Sequence, residues 1–281
     1  MNYPLVSTEW LDANKDNDDL FILDVSMSKV IGKEPIIYDQ LITIPNSYKV
    51  TIEHDLSDAS SNFTHCFPSG DQVLRLADQL GFNVSSTLVI YDNQGVYSSP
   101  RAWWIFKSFG YNNVVILDGG LPKWITKGYA VMDTHLVNPK KVIHSDNVLM
   151  KNPTSLATSE YILLNIDSEK STVIDVRSEN RFLGIASEPR AGVRSGHIPK
   201  SINLPFGMVL DSIEYKPAKD IHAQFTKVGC QSDMNILFSC GSGITACIVL
   251  VAAIIAGFPN VSLYDGSWAE WGADASLPIA K

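Results

Sequence analysis

The sequence lacks any Cys-x-x-Cys pair, and its four cysteines, Cys66, Cys230, Cys240 and Cys247, show no zinc-ligand spacing. Neither a disulfide scaffold nor a structural metal is therefore expected to organise the chain. Positive charge is also short: 22 Lys and Arg face 30 Asp and Glu, a net charge of -8. General attraction to nucleic acid or to an anionic membrane surface is excluded, and any anionic ligand needs local positive groups. No long apolar run is present; Ile248 to Ala256 is far below the roughly 20 residues of a membrane helix and reads as a buried helix. The stretch Met1 to Val6 has no charged n-region or apolar h-region, and the acidic stretch from Asp16 to Asp19 follows, so a cytoplasmic location is expected.

The 281 residues, 45% hydrophobic and 19% charged, suit an ordinary globular chain of one large or two smaller domains. An internal repeat favours two. The apolar runs Leu20 to Val25 and Thr172 to Val176 both end in Asp-Val, and Val114-Val115-Ile116-Leu117-Asp118-Gly119 matches Val261-Ser262-Leu263-Tyr264-Asp265-Gly266. The intervals from Asp24 to Asp118 and from Asp175 to Asp265 are 94 and 90 residues. Between the landmarks each half has another apolar strand, Thr87 to Tyr91 and Asn235 to Ser239, that runs through a polar loop into a helix. Apolar strands without alternation, separated by helices, indicate parallel strands buried on both faces, hence an α/β fold. One large doubly wound domain is the competing organisation. The polar, proline-bearing segment between the halves predicts domains at 1–134 and 154–281 joined by a linker over 135–153.

In open parallel sheets ligands gather at the carboxyl ends of strands. Cys240 occupies that place, followed by Gly241-Ser242-Gly243-Ile244-Thr245-Ala246 and an apolar helix. Glycines allow a tight turn with inward amides, and the helix adds its positive end, so a thiolate on Cys240 would be stabilised as a nucleophile. Cys247 and Cys230 read as structural. A cysteine-dependent phosphatase would need an arginine six positions on, where this chain has Ala246. The first half places Asp92 where Cys240 stands and so has no sulfur chemistry of its own.

These residues resemble the tandem-domain rhodanese family, and within it the 3-mercaptopyruvate sulfurtransferases. The resemblance runs from about Leu20 to Pro278 and is carried by Asp175-Val176-Arg177, Gly196-His197-Ile198-Pro199, the loop from Cys240 to Ala246, Asp265-Gly266-Ser267-Trp268, Ser99-Pro100-Arg101 and Asp118-Gly119-Gly120. It implies two rhodanese-like domains, each a mostly parallel sheet flanked by helices, with catalysis in the second. It also implies a Cys240 persulfide, with the donor held by Arg181 and Arg190, nine positions apart, and by the loop residues Gly241, Gly243, Ile244 and Thr245. Ser242 fills the serine place of a Ser-His-Asp relay; Asp55 and His65, followed by Pro68, correspond to its other members, with His54 a competing candidate. Tyr97 resembles a first-domain tyrosine that faces the pocket. Arg177 and Arg194 are left structural or peripheral, and the motif tryptophans and His197 are read as packing and turn-fixing residues.

The uncharged Gly241-Ser242 pair favours 3-mercaptopyruvate over thiosulfate, whose enzymes place cations there. The expected acceptor is a thiol, thioredoxin or cyanide, and no metal or organic cofactor is implied. A thiosulfate sulfurtransferase and a persulfide relay module acting on a protein partner are the alternatives.

Overall fold

The computed structural model describes residues 3–139, 149 and 151–281. The chain packs into two compact units: Met1–Ala59 with Phe67–Asn152 and Ile213–Tyr215, and Ser60–Cys66 with Pro153–Ser212 and Lys216–Lys281. The expected linker over 135–153 falls in large part outside the described residues. Membership of the units is not sequential, because 60–66 packs within the second and 213–215 within the first. Gly95 makes the latter possible: a Cβ there would lie 2.6 Å from the Ile213 carbonyl oxygen.

The first unit holds strands β1 (Leu5–Val6), β2 (Leu20–Asp24), β3 (Ser47–Lys49), β4 (Thr87–Tyr91) and β5 (Val114–Leu117), in the sheet order β1-β5-β4-β2-β3. The second holds β6 (Leu156–Ala157), β7 (Ser171–Asp175) and β8 (Ile202–Asn203). Two short strands, β9 (Leu210–Asp211) and β10 (Glu214–Tyr215), lie outside the five-stranded sheets. With β11 (Asn235–Ser239) and β12 (Val261–Tyr264) the second sheet runs β6-β12-β11-β7-β8, the same order as the first, and every pairing described in both is parallel. The expected α/β repeat is thus realised strand for strand.

Burial explains the missing alternation. All five residues of β2 are buried, as are the last four of β11, because helices cover both faces. In the first unit these are α1 (Thr8–Asn14), α2 (Gly70–Leu80), α3 (Ser99–Ser108) and α4 (Gly120–Thr126). α2 is a surface helix: Val73, Leu76, Ala77 and Leu80 form its buried stripe, Ser69 caps its start and Gly81, at φ +82°, ends it. The second unit has α5 (Ser159–Asn165), α6 (Glu179–Phe182), α7 (Ala218–Lys227), α8 (Ala246–Ile255) and α9 (Ser267–Trp271). α8 is apolar all round and buries every residue but Ile254, the mark of a core helix. Among the described residues no helix is long and apolar enough to cross a membrane.

The tryptophans pack as expected: Trp124 lies with Leu11, Ile22 and Tyr91, and Trp268 and Trp271 lie with Val173, Leu237 and Tyr264. Asp118, just past β5, accepts a hydrogen bond from Tyr215 N at 3.1 Å, and Glu214 beside it pairs with Lys123. Burial pushes the Asp118 carboxyl up to about 6; Glu214 adds to this and the Tyr215 amide opposes it. The folded chain therefore holds this proton where the unfolded chain releases it, and stability falls as pH rises from about 4 to about 6. Asp118→Asn removes that loss: thermal denaturation at pH 7 should find the variant more stable by up to about 2 kcal/mol, with the gain vanishing near pH 4. A variant no more stable than wild type at pH 7 would contradict this.

Candidate active site

From β7 the chain moves outward to β8 and then returns to the other side of β7 as β11. This reversal opens a crevice at the carboxyl ends of β7 and β11, the place where such sheets bind ligands. Asp175 ends β7 opposite Ser239, which ends β11, and Cys240 is the next residue. Two short segments, 175–177 and 240–245, therefore leave the sheet side by side, and Val176 N donates to Ser239 O at 2.9 Å.

The loop's carbonyls are drawn away from the crevice. Cys240 O accepts from Trp268 N and Gly241 O from Ala269 N, both at 3.0 Å, and Cys240 N donates to Ser267 Oγ at 3.2 Å. Among the described residues, the N–H groups of 241–246 have no protein acceptor. Gly243, at φ +80°, supplies the left-handed turn. Orphan amides ahead of the positive end of α8 form a cradle for an anion, and Cys240, 2% exposed, stands within it.

The first unit shows such a cradle filled. Asp92 follows β4 as Cys240 follows β11, and it is fully buried. Its Oδ2 accepts from the amides of Tyr97, Ser98 and Ser99 and from Ser99 Oγ, and its Oδ1 from Gln94 N, all between 2.7 and 3.0 Å. A carboxylate thus takes, in the first unit, the loop amides that in the second have no protein acceptor among the described residues.

Both predicted arginines reach the cysteine loop. A Cβ on Gly241 would lie 3.3 Å from Arg181 Nη2 and 3.6 Å from Arg190 Nη1, so the glycine leaves room for the close approach of Arg181, with Arg190 beside it. Arg181 Nε and Nη2 donate to Glu188 Oε1 and Oε2 at 3.1 and 2.5 Å. Arg177 Nη1 donates to the same Glu188 Oε1 at 2.8 Å, while its Nε and Nη2 grip Asp175. The Arg177 guanidinium also lies over the Trp268 ring at 4.5 Å. Burial works against its charge, but Asp175 and then Glu188 outweigh that and hold it protonated. Arg177 is thus structural, and so is Arg194, which donates to the carbonyls of Gly272, Trp271 and Leu277. Glu188 went unnoticed in the sequence, although an acid flanked by two substrate-type arginines was a usable signal. Ser267, held at φ +50° and taking the Cys240 amide, left no such signal.

His65 Nδ1 lies 3.1 Å from Ser242 Oγ, and Thr64 Oγ1 accepts from Arg190 Nη2 at 3.1 Å, so the 60–66 segment is tied to the loop. His65 has φ +65°, a left-handed conformation that costs a non-glycine residue roughly 1–2 kcal/mol. The other candidates have contacts of their own within the first unit. Asp55 Oδ2 accepts from Thr51 N and Oγ1 at 2.6 and 2.7 Å, closing its own turn. His54 gives its carbonyl to Gln72 Nε2. The Tyr97 hydroxyl bridges the backbone of Ile31, accepting from its amide and donating to its carbonyl. His197 stacks on Phe182, ring centroids 3.8 Å apart, and its Nδ1 lies 2.8 Å from Phe182 O, fixing the end of α6. Burial pushes the Cys230 thiol up to about 11, and Cys247 Sγ donates to Gly243 O at 3.3 Å; both act as structure.

A model of the rhodanese-like domain matches residues 7–127 and 158–274. The 3-mercaptopyruvate sulfurtransferase of Escherichia coli K12 is 33% identical over 276 residues, covering 98% of this chain and 96% of that protein. The thiosulfate/3-mercaptopyruvate sulfurtransferase 2 of Arabidopsis thaliana is 34% identical over 301 residues, covering 99% of this chain and 86% of that one. The crystal structure of SseA from E. coli, a 3-mercaptopyruvate sulfurtransferase, superimposes with a TM-score of 0.81 at 31% identity, covering 95% of this chain and 99% of that one.

The filled cradle predicts its own energetics. Asp92→Ala strands four amides and a hydroxyl, and should cost about 3–5 kcal/mol in chemical denaturation. Asp92→Asn, which keeps one acceptor oxygen, should lose less. Wild-type stability in the alanine variant would show that the carboxylate is not what holds the loop.

Proposed function

The chain belongs to the rhodanese family, and from that premise we propose that it moves sulfur from 3-mercaptopyruvate to a thiol acceptor through a persulfide on Cys240. The observation that carries this reading is Cys240 seated among the unpaired amides of 241–246, with Arg181 and Arg190 converging on Gly241.

The Cys240 thiolate attacks the donor's sulfur. The carbon–sulfur bond breaks with its electron pair passing to carbon, and pyruvate leaves as its enolate. Arg181 and Arg190 hold the carboxylate and keto oxygen, where planar guanidinium forks give two-point contact. The enolate takes up the proton that the donor thiol gives up, and Ser242 with His65, 3.1 Å apart, is the pair that would carry it. The terminal sulfur of the persulfide is then an anion stabilised by the cradle amides, in the manner of an oxyanion hole. An acceptor thiolate such as thioredoxin's, or cyanide, attacks that outer sulfur and restores the Cys240 thiolate. The chemistry needs no cofactor. Thiosulfate is the second donor to consider, since the Arabidopsis relative is named for both; the loop 241–246 brings no cation to a dianion.

Mass spectrometry after exposure to 3-mercaptopyruvate should find one added sulfur on Cys240. Cys240→Ser should neither gain it nor transfer it, and full activity in that variant would sink the proposal. Arg190→Ala should raise KM for mercaptopyruvate at least tenfold while leaving discharge of the persulfide to a thiol nearly unchanged; equal effects on both half-reactions would remove Arg190 from donor binding.

A further inference from the structure

Glu188 holds a place that the proposed reaction does not use. Its side chain is 3% exposed, and both of its oxygens are engaged by two arginines. On Arg181 it takes the Nε–Nη2 edge. The guanidinium's other edge is left toward the loop, where Nη2 and Nη1 lie 3.3 and 4.0 Å from the Cβ position of Gly241. One carboxylate therefore fixes both the direction in which Arg181 points and how much of its charge reaches a ligand.

The charges bonded together at this end of the sheet can be counted. Asp175 and Glu188 face Arg177 and Arg181 in one buried chain, and Arg190 stands beside it on Thr64. Two carboxylates offset two of the three guanidinium groups, which leaves a surplus of one positive charge. The loop 241–246, Gly-Ser-Gly-Ile-Thr-Ala, adds no cation. A single surplus charge suits a donor that is a monoanion and leaves a dianion with one charge unmatched. Without Glu188 the surplus would be two.

We infer that Glu188 is a positioning and specificity-determining residue: it aims Arg181 edge-on at the cysteine loop and limits the site's positive charge to what a monoanionic donor matches. This rests on the proposed sulfur transfer, but its central measurement does not. In Glu188→Gln the charge is gone and one hydrogen-bonding atom becomes a donor facing a guanidinium, so both the aim and the charge limit fail. In Glu188→Asp the charge stays and the reach shortens, so only the aim fails.

The test measures dissociation constants of pyruvate, a monoanion, and sulfate, a dianion, by calorimetry at fixed ionic strength for wild type and both variants. Neither ion transfers sulfur. A unit charge several ångströms away in a partly screened site is worth about tenfold in affinity for each ligand charge. Glu188→Gln should therefore move the sulfate-to-pyruvate affinity ratio about tenfold toward sulfate, with pyruvate itself held no more tightly. Glu188→Asp should weaken both and keep the ratio within about twofold. The kcat/KM ratio of thiosulfate to mercaptopyruvate should move with the sulfate ratio in Glu188→Gln. A parallel loss of both ions in Glu188→Gln, with the ratio unchanged, would reduce Glu188 to a structural prop and overturn the inference. Should that variant not fold, wild type decides: pyruvate must bind more tightly than sulfate, and the reverse order overturns it. Failure of wild type to turn over either donor would sink the proposed reaction while leaving the anion ratio readable.

Discussion

A negative charge received by backbone N–H groups at the end of a central parallel strand is the constraint around which both units are arranged. Such a cradle forms only if the neighbouring carbonyls are turned elsewhere, and in the second unit Trp268 N and Ala269 N do this from the start of α9. It also requires a helix to begin where the loop ends. α8 meets that requirement, and its apolar circumference, buried in the core, anchors the cradle there. Placement of Cys240 and stability of the core are in this sense one property.

Charge management follows from that constraint. A chain of net charge -8 repels anions at long range, so the attraction must be local and buried. Buried charges are tolerated when every one is paired and hydrogen-bonded. The run from Asp175 through Arg177 and Glu188 to Arg181 meets that condition link by link, with Trp268 covering the face of Arg177. The guanidinium that approaches Gly241 is thus the outermost member of a chain that starts on the sheet itself.

The parts legible in the sequence were those set by local rules. Unalternating apolar runs announced strands covered on both faces, the Asp-Val and Asp-Gly landmarks announced the duplication, and Cys240 was placed by its position after a strand and before a helix. The family resemblance, not a local rule, pointed to Arg181 and Arg190, and both side chains do approach Gly241. What was not legible depends on packing at a distance. Nothing local marks 60–66 as part of the second unit, since a left-handed histidine leaves no compositional trace. Likewise 213–215 joins the first unit because Gly95 has no Cβ to obstruct it. Glu188 stood in plain view between the arginines, yet its partners come at once from the segment after β7, Arg177, and from α6, Arg181. Asp55 and Tyr97 were chosen by likeness; within the first unit Asp55 Oδ2 accepts from Thr51 and the Tyr97 hydroxyl bonds the Ile31 backbone.

Asp92 has a further meaning when its tether is considered. A carboxylate attached to the chain beside its own cradle is present at an effective concentration well above the millimolar level of flexible linkages. Free anions therefore compete poorly for the first loop at any ordinary supply, and its occupancy is a constant of the folded chain. In the second loop Cys240 takes the place of that carboxylate, and among the described residues the amides of 241–246 have no protein acceptor. Two copies of one device thus differ: one has its amides taken up within the chain, and the other keeps them unspent.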